Sequence, residues 1–243
     1  MTDRRPVAAR ILSMLDLTNL DDTCTDDKVV ELCRRAVTAH GHVAAVCVWP
    51  RFVALARHEL TGRGVKIATV VNFPHGGTDV DEVVSLTKSA LADGADEIDV
   101  VAPYRSLSAG DADSYCALLR AVRAAVVTPA HLKVILETGE LVEPDLIERA
   151  SRLAVECGAD FIKTSTGKTR VSATVEAAAV MLRVIRETDR PVGIKPSGGI
   201  RTVVEAARYL ELAEAIMGPA WVTPERFRFG ASGLLDAVEH ELA

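Results

Sequence analysis

Short apolar runs recur along the 243-residue chain at a near-regular interval, with no linker-like stretch between them. They fall at 43–48, 66–72, 96–101, 132–137, 160–164, 191–195, 213–217 and 226–229. Most read as almost continuously apolar instead of alternating, which is the mark of parallel strands covered on both faces. Between them lie helical stripes. In 79–92, Val80, Val83, Val84, Thr87 and Leu91 keep the 3.6-residue period, and Thr78-x-x-Asp81 reads as a capping-box start. Leu146, Ile147, Ala150, Leu153, Ala154 and Cys157 form a second stripe. Val175, Ala178, Ala179, Leu182 and Ile185 form a third. Eight such β-α units fill a single α/β domain, a (β/α)8 TIM barrel of about 250 residues. Residues 1–40 are expected to be an N-terminal helical extension of that domain. The competing architecture is an open doubly wound sheet, which would carry a Gly-rich loop after its first strand. Here Trp49-Pro50-Arg51 follows instead.

Composition narrows the partners. Aromatics are 4%, so the core must be aliphatic. Apolar residues at 49% with charged residues at 26% exclude disordered and collagen-like chains. Lys plus Arg is 28 against 34 for Asp plus Glu, a net charge of −6. That argues against a nucleic acid or an anionic membrane recognised by bulk charge, but not against one small phosphorylated ligand. No apolar h-region follows Met1-Thr2-Asp3-Arg4-Arg5-Pro6, and the run 43–49 is far shorter than a membrane span. Cys24, Cys33, Cys47, Cys116 and Cys157 are odd in number with no C-x-x-C spacing. The expectation is a reducing cytoplasm and no disulfide framework. His40 and His42 lack a nearby third ligand, so no metal is expected there and the pair reads as a loop before a strand.

One internal echo bears on chemistry. Gly94-Ala95-Asp96-Glu97-Ile98-Asp99 and Gly158-Ala159-Asp160-Phe161-Ile162-Lys163 share the form Gly-Ala-Asp-x-Ile-x. Each Gly would close a helix and a strand follows at once. Asp99 and Lys163 therefore hold one offset in the third and fifth runs. Alternate strands share a layer inside a barrel, so the two are expected to face each other at one height.

A lysine in an apolar strand is costly unless paired or functional. Lys133, Lys163 and Lys195 are such lysines, and the last two end strands that run into Gly-containing polar loops. Like charge and desolvation both lower a lysine pKa. A lysine partly neutral near pH 7 attacks carbonyls to form a Schiff base, and Asp99 beside it could move protons. Three loops suit an anion: Thr166-Gly167-Lys168, Ser197-Gly198-Gly199-Ile200-Arg201 and Phe229-Gly230-Ala231-Ser232-Gly233. Each offers backbone N–H groups, hydroxyls or a cation, and the last two open helices.

These residues resemble the deoxyribose-phosphate aldolases, a class I family, over nearly the whole chain. The resemblance runs through Leu15-Asp16-Leu17-Thr18, Val46-Cys47-Val48-Trp49-Pro50-Arg51, Val71-Asn72-Phe73-Pro74-His75-Gly76 and Asp96-Glu97-Ile98-Asp99-Val100. It continues through Lys133-Val134-Ile135-Leu136-Glu137-Thr138, Phe161-Ile162-Lys163-Thr164-Ser165-Thr166-Gly167 and Gly193-Ile194-Lys195-Pro196-Ser197-Gly198-Gly199-Ile200-Arg201. It implies reversible cleavage of 2-deoxy-D-ribose 5-phosphate to acetaldehyde and D-glyceraldehyde 3-phosphate, in deoxyribonucleotide catabolism, without cofactor or metal. Lys163 would form the imine. Asp99 and Lys195 would relay protons, Lys195 also lowering the Lys163 pKa. Gly167, Lys168, Gly198, Gly199, Arg201, Gly230 and Ser232 match phosphate-pocket positions. Asp16, Thr18 and Thr166 match substrate-side positions. Cys47, at the end of the first run, matches an active-site position and also reads as a small buried apolar residue. Lys133 is expected to support the site by ion pairing. A homodimer or homotetramer is expected, with a sugar phosphate and aldehydes as small-molecule partners.

Two departures stand out. Many relatives have a second serine after Ser232, where this chain has Gly233, so a backbone N–H would replace a hydroxyl. Some relatives end in a tail tyrosine near the site, whereas this chain ends Glu241-Leu242-Ala243. Asp99 and water would then carry the proton. Two other readings stay open: a barrel isomerase or epimerase, which needs two carboxylates instead of two lysines, and a non-catalytic sugar-phosphate binder.

Overall fold

The computed structural model describes residues 3–243. Among them eight parallel strands form one sheet, alternating with helices. They are β1 (Leu15–Asn19), β2 (Ala45–Val48), β3 (Lys66–Val71), β4 (Glu97–Val101), β5 (His131–Ile135), β6 (Phe161–Lys163), β7 (Gly193–Lys195) and β8 (Phe229–Ala231). Neighbours in sequence are neighbours in the sheet, and β8 also pairs with β1. Single bridges, Ile194 to Phe227 and Ser197 to Gly230, close the last gap between β7 and β8. The result is the expected TIM barrel.

Three readings change. The run 213–217 is no strand: it is the last turn of the helix Val203–Met217. A full capping box, Thr202 with Glu205, starts that helix, and Val203, Ala206, Tyr209, Leu210 and Ala213 bury one face at helical spacing. The missing strand is β1, inside the stretch 1–40 read as a helical extension. Of that stretch, Arg5–Ser13 and Asp26–Arg35 are helical, while Leu15–Asn19 is the first stave of the barrel. A strand with aspartate inside and two polar residues at its end carries little apolar signal. Asp99 and Lys163 are thus on the fourth and sixth strands, not the third and fifth. The third change is small: Asp79, not Thr78, caps the helix Val80–Ala92, accepting from the Glu82 N–H. His40 and His42 belong to a short hairpin, Val37–Thr38 with Gly41–His42, where His42 Nδ1 lies 3.0 Å from the Val43 carbonyl.

Side chains alternate in and out along each strand. Val46, Val48, Ile98, Val100, Leu132, Val134, Ile162 and Ile194 pack in the large aliphatic core. The opposite faces fill the barrel. The register runs Cys47 to Ala68 to Glu97 and on to His131, and Asp99 to Lys133 to Phe161. A barrel of shear eight advances one layer by two residues for every two strands. That stagger takes Cys47 to Asp99, to Lys163 and to Gly230, so these four form one layer. Asp99 and Lys163 do share a height, as the echo between their strands implied. The odd strands contribute Asp16, Ala68, Lys133 and Lys195 to the layer beneath. Ala45, Glu97, Phe161 and Arg228 form the lowest. Barrel interiors are ordinarily branched aliphatics. Seven of these twelve positions are ionisable acids or bases, a polar pillar inside an otherwise aliphatic protein.

Candidate active site

The pillar is dry. Asp16, Glu97, Asp99, Lys133 and Lys195 have no exposure, and Lys163 and Arg228 have 2% each. Buried charges persist only when paired and hydrogen-bonded. Asp99 meets three lysines at once: Lys163 Nζ at 2.9 Å and Lys195 Nζ at 2.8 Å on Oδ2, and Lys133 Nζ at 2.8 Å on Oδ1. Lys195 also lies 2.6 Å from Asp16 Oδ2. Lys133 lies 2.5 Å from Glu97. Arg228 joins Asp16 at 2.8 Å and Glu97 at 3.0 Å.

The environment treats the lysines unequally. Burial pushes the Lys163 pKa down, and Lys195 adds to that against the pull of Asp99. Burial also works against the Lys195 and Lys133 ammonium groups, but there the carboxylates win and hold both pKa values up. Lys195 has Asp16 and Asp99; Lys133 has Asp99 and Glu97. Burial would keep Asp99 protonated, yet Lys133, Lys163 and Lys195 hold it well below the usual carboxylate range. The arrangement therefore sets one lysine whose ammonium form is disfavoured beside a carboxylate and a second ammonium whose charged forms are favoured. Sequence reasoning assigned Lys195 the task of lowering the Lys163 pKa. Desolvation is the larger cause, and Lys195 is second in that direction.

Above the pillar opens a groove of about 860 Å³. Thr18, Thr166, Gly167, Lys168, Gly198, Gly199, Arg201, Gly230 and Ser232 all line it, so the three anion loops converge as expected. The helices Val203–Met217 and Leu234–Leu242 begin there, and N-termini favour anions. Gly233, the residue that departs from the relatives, is the N-cap of the second helix. Gly230 has a steric reason to be glycine: a Cβ would sit 2.2 Å from Ser197 Oγ and 3.0 Å from Lys195 Cε. The absence of a side chain leaves the Lys195 stem its channel. Sequence reasoning missed the far wall, where Asp27, Lys28 and Glu31 of the helix Asp26–Arg35 face the loops. Nothing in their pattern distinguishes them from an ordinary solvated helix face.

Five assigned residues, Asp16, Cys47, Asp99, Lys163 and Lys195, do not line the groove and are buried in the barrel. The Asp16 carboxylate is fully buried among Lys195, Arg228 and Lys133, in the layer beneath Lys163. Cys47 is fully buried, on the second strand, in the layer of Asp99 and Lys163. Burial raises its thiol pKa, so it is a small neutral neighbour of the lysine. Glu137 was missed. It follows β5 in the left-handed region, with φ of 58°, and is fully buried. Its carboxylate accepts from Thr166 N at 3.2 Å, Thr166 Oγ1 at 2.5 Å and Thr169 Oγ1 at 3.2 Å, pinning the first anion loop. A carboxylate closing the apolar run 132–137 was the available signal. Glu97 and Arg228 were missed as well. Among the described residues no three of His, Cys, Asp or Glu gather to hold a metal ion. No described helix is long and apolar enough to cross a membrane.

With this geometry in hand, known proteins can be compared. Residues 10–238 match the DeoC/LacD family aldolase model. A curated deoxyribose-phosphate aldolase from Agrobacterium fabrum is 55% identical over 240 residues, covering 98% of this chain and 93% of that protein. A crystal structure from Toxoplasma gondii ME49, provisionally assigned as a deoxyribose-phosphate aldolase, aligns with a TM-score of 0.90 at 28% identity, covering 98% and 95% of the two chains. The tetrameric deoxyribose phosphate aldolase of Aeropyrum pernix shares the fold, with a TM-score of 0.79 at 23% identity over 98% and 96%.

Proposed function

This chain belongs to the DeoC/LacD family of aldolases, and from that membership we propose that it cleaves 2-deoxy-D-ribose 5-phosphate through an imine on Lys163. The observation that carries the reading is the triple contact of Asp99 with Lys133, Lys163 and Lys195 at the foot of a Gly-lined groove. Neutral Lys163 Nζ attacks the aldehyde carbon of the open-chain sugar. A proton delivered from solvent through Asp99 lets the carbinolamine hydroxyl leave as water, and a protonated imine remains. Asp99, directly or through water, takes the proton of the C3 hydroxyl. The C2–C3 bond breaks, its electron pair passes toward the iminium nitrogen, and D-glyceraldehyde 3-phosphate departs. The enamine left on Lys163 is protonated at C2, and water releases acetaldehyde. The Lys195 ammonium keeps the relay charged and stabilises the developing oxyanion.

Lys168, Arg201 and the backbone of Gly198, Gly199, Gly230 and Ser232 would hold the phosphate. Catabolism of deoxyribonucleotides in the cytoplasm, and a homodimeric or homotetrameric assembly, belong to the same proposal. The test follows the sugar phosphate by NMR. Acetaldehyde and glyceraldehyde 3-phosphate should accumulate in a chelator as well as without one. In the variant Lys168→Ala, KM for the sugar phosphate should rise about tenfold through loss of one charge-assisted contact. The unphosphorylated sugar should show no such change. A product that keeps the carbon chain intact would overturn the reading in favour of an isomerase.

A further inference from the structure

The lowest layer of the pillar takes no part in the chemistry just described. Arg228 enters it from the segment leading into β8, and Glu97 from β4. The guanidinium spans two carboxylates, with NH1 2.8 Å from Asp16 Oδ1 and NH2 3.0 Å from Glu97 Oε1. None of the seven charged pillar residues lines the groove, and Arg228 and Glu97 lie two layers further from it than Lys163. Burying an arginine and a glutamate this deeply is expensive, and packing alone would be served by apolar residues.

Counting charge across the contacts gives the pair a purpose. The connected carboxylates are Asp16, Glu97 and Asp99. The connected cations are Lys133, Lys163, Lys195 and Arg228. A fully ionised pillar thus holds one positive charge too many. A buried surplus charge is shed by the group that loses least on neutralising. Arginine does not deprotonate. Lys133 contacts Asp99, Glu97 and, at 3.8 Å, Asp16; Lys195 contacts Asp16 and Asp99. Lys163 contacts Asp99 alone, a carboxylate it shares with both other lysines. It also stands in the uppermost of the three layers, level with Gly230 of the groove lining.

We propose that Arg228 and Glu97 are positioning residues that set the charge state of Lys163 from two layers below. Arg228 supplies the surplus cation that leaves Lys163 neutral, and Glu97 limits that surplus to one. The inference rests on Lys163 being the imine-forming lysine. The other groups facing the pillar are few. Asp99, Lys195 and Cys47 act on Lys163 directly; buried Glu137, pinned by Thr166 and Thr169, feels the Lys163 charge but lies beyond salt-bridge distance of all four cations. Lys66 and His131 approach Glu97 at 3.5 and 3.9 Å from the rim, with side chains 40% and 37% exposed, where solvent screens them.

The test is the pH dependence of kcat/KM for cleavage of 2-deoxyribose 5-phosphate, whose acid limb reports the nucleophile in the free enzyme. Removing a cation lets Lys163 keep its proton, so Arg228→Met should move the limb to higher pH. Removing an anion deepens the surplus, so Glu97→Gln should move it lower. Each shift should be about one pH unit, the effect of one charge across a separation on the order of 10 Å in a protein interior. The double variant should return toward the wild type, and Arg228→Lys should leave the limb in place. A purely structural role would lower activity in both single variants with the limb fixed; that result, or shifts of the same sign, overturns the proposal. If Arg228→Met does not fold, the isosteric Glu97→Gln decides alone. Borohydride trapping in the wild type separates the two readings. No adduct on Lys163 overturns both, whereas an adduct with fixed limbs overturns only the role of Arg228 and Glu97.

Discussion

Replacing Lys163 by methionine should lower kcat/KM by about four orders of magnitude or more, while Tm stays the same or rises. The first half follows from covalent catalysis: with no imine there is no electron sink for the breaking carbon–carbon bond. The second half is less usual and separates this lysine from its neighbours. Taking one member of a buried ion pair away ordinarily strands its partner. Asp99 is not stranded here, because Lys133 and Lys195 still contact it at 2.8 Å each. Methionine removes the cation whose charge the barrel disfavours and keeps its volume. Thermal unfolding alongside the rate assay checks both halves. A Tm loss as large as that of a core cavity would mean that Lys163 holds the fold together and is not the surplus charge.

Asp99→Leu should have the opposite profile, destabilising by about 3–5 kcal/mol in addition to disabling the proton relay. One carboxylate faces three lysines there, and without it the pillar would hold Lys133, Lys195 and Arg228 as cations against only Asp16 and Glu97, even with Lys163 neutral. The cost also depends on pH in a definite direction. The native pKa of Asp99 lies below its ordinary value of 3.8, burial opposing and Lys133, Lys163 and Lys195 outweighing it. Its contribution is therefore present above that value and is lost as pH falls toward the native pKa. Urea unfolding of both proteins should show a gap in stability at neutral pH that narrows only in strong acid. An equal gap at all pH values would assign the loss to packing alone.

The barrel was legible because its outward strand faces are aliphatic at nearly every position, as Val46, Val48, Ile98, Val100, Leu132 and Val134 show. The candidate trio was legible because Asp99 interrupts such a run in mid-strand and Lys163 and Lys195 do so at their strands' ends. The echo Gly-Ala-Asp-x-Ile-x put Asp99 and Lys163 in one layer, although the strand count beneath that inference was off by one. What failed has a common physical cause. β1 hides because its inward residue is Asp16, so a polar interior erases the apolar signal by which strands are found. The run 213–217 misled because Ala and Ile at the end of a helix look like a strand when the cap at Thr202 is eleven residues before it. Arg228 stands two residues after Arg226 and reads like any surface arginine. Only the register across four strands brings it under Lys195 and Asp16. Asp16 sits on the right motif, and its ion pairs with Lys133, Lys195 and Arg228 become visible only in the folded barrel.

The central claim is that Lys163 forms the imine. It is tested most directly by incubating the protein with acetaldehyde and sodium borohydride, measuring the intact mass and mapping the modified peptide. The account predicts one ethyl group per chain, on Lys163, and none in Lys163→Met. An ethyl group on Lys133 or Lys195, or cleavage activity with no adduct at all, would contradict it.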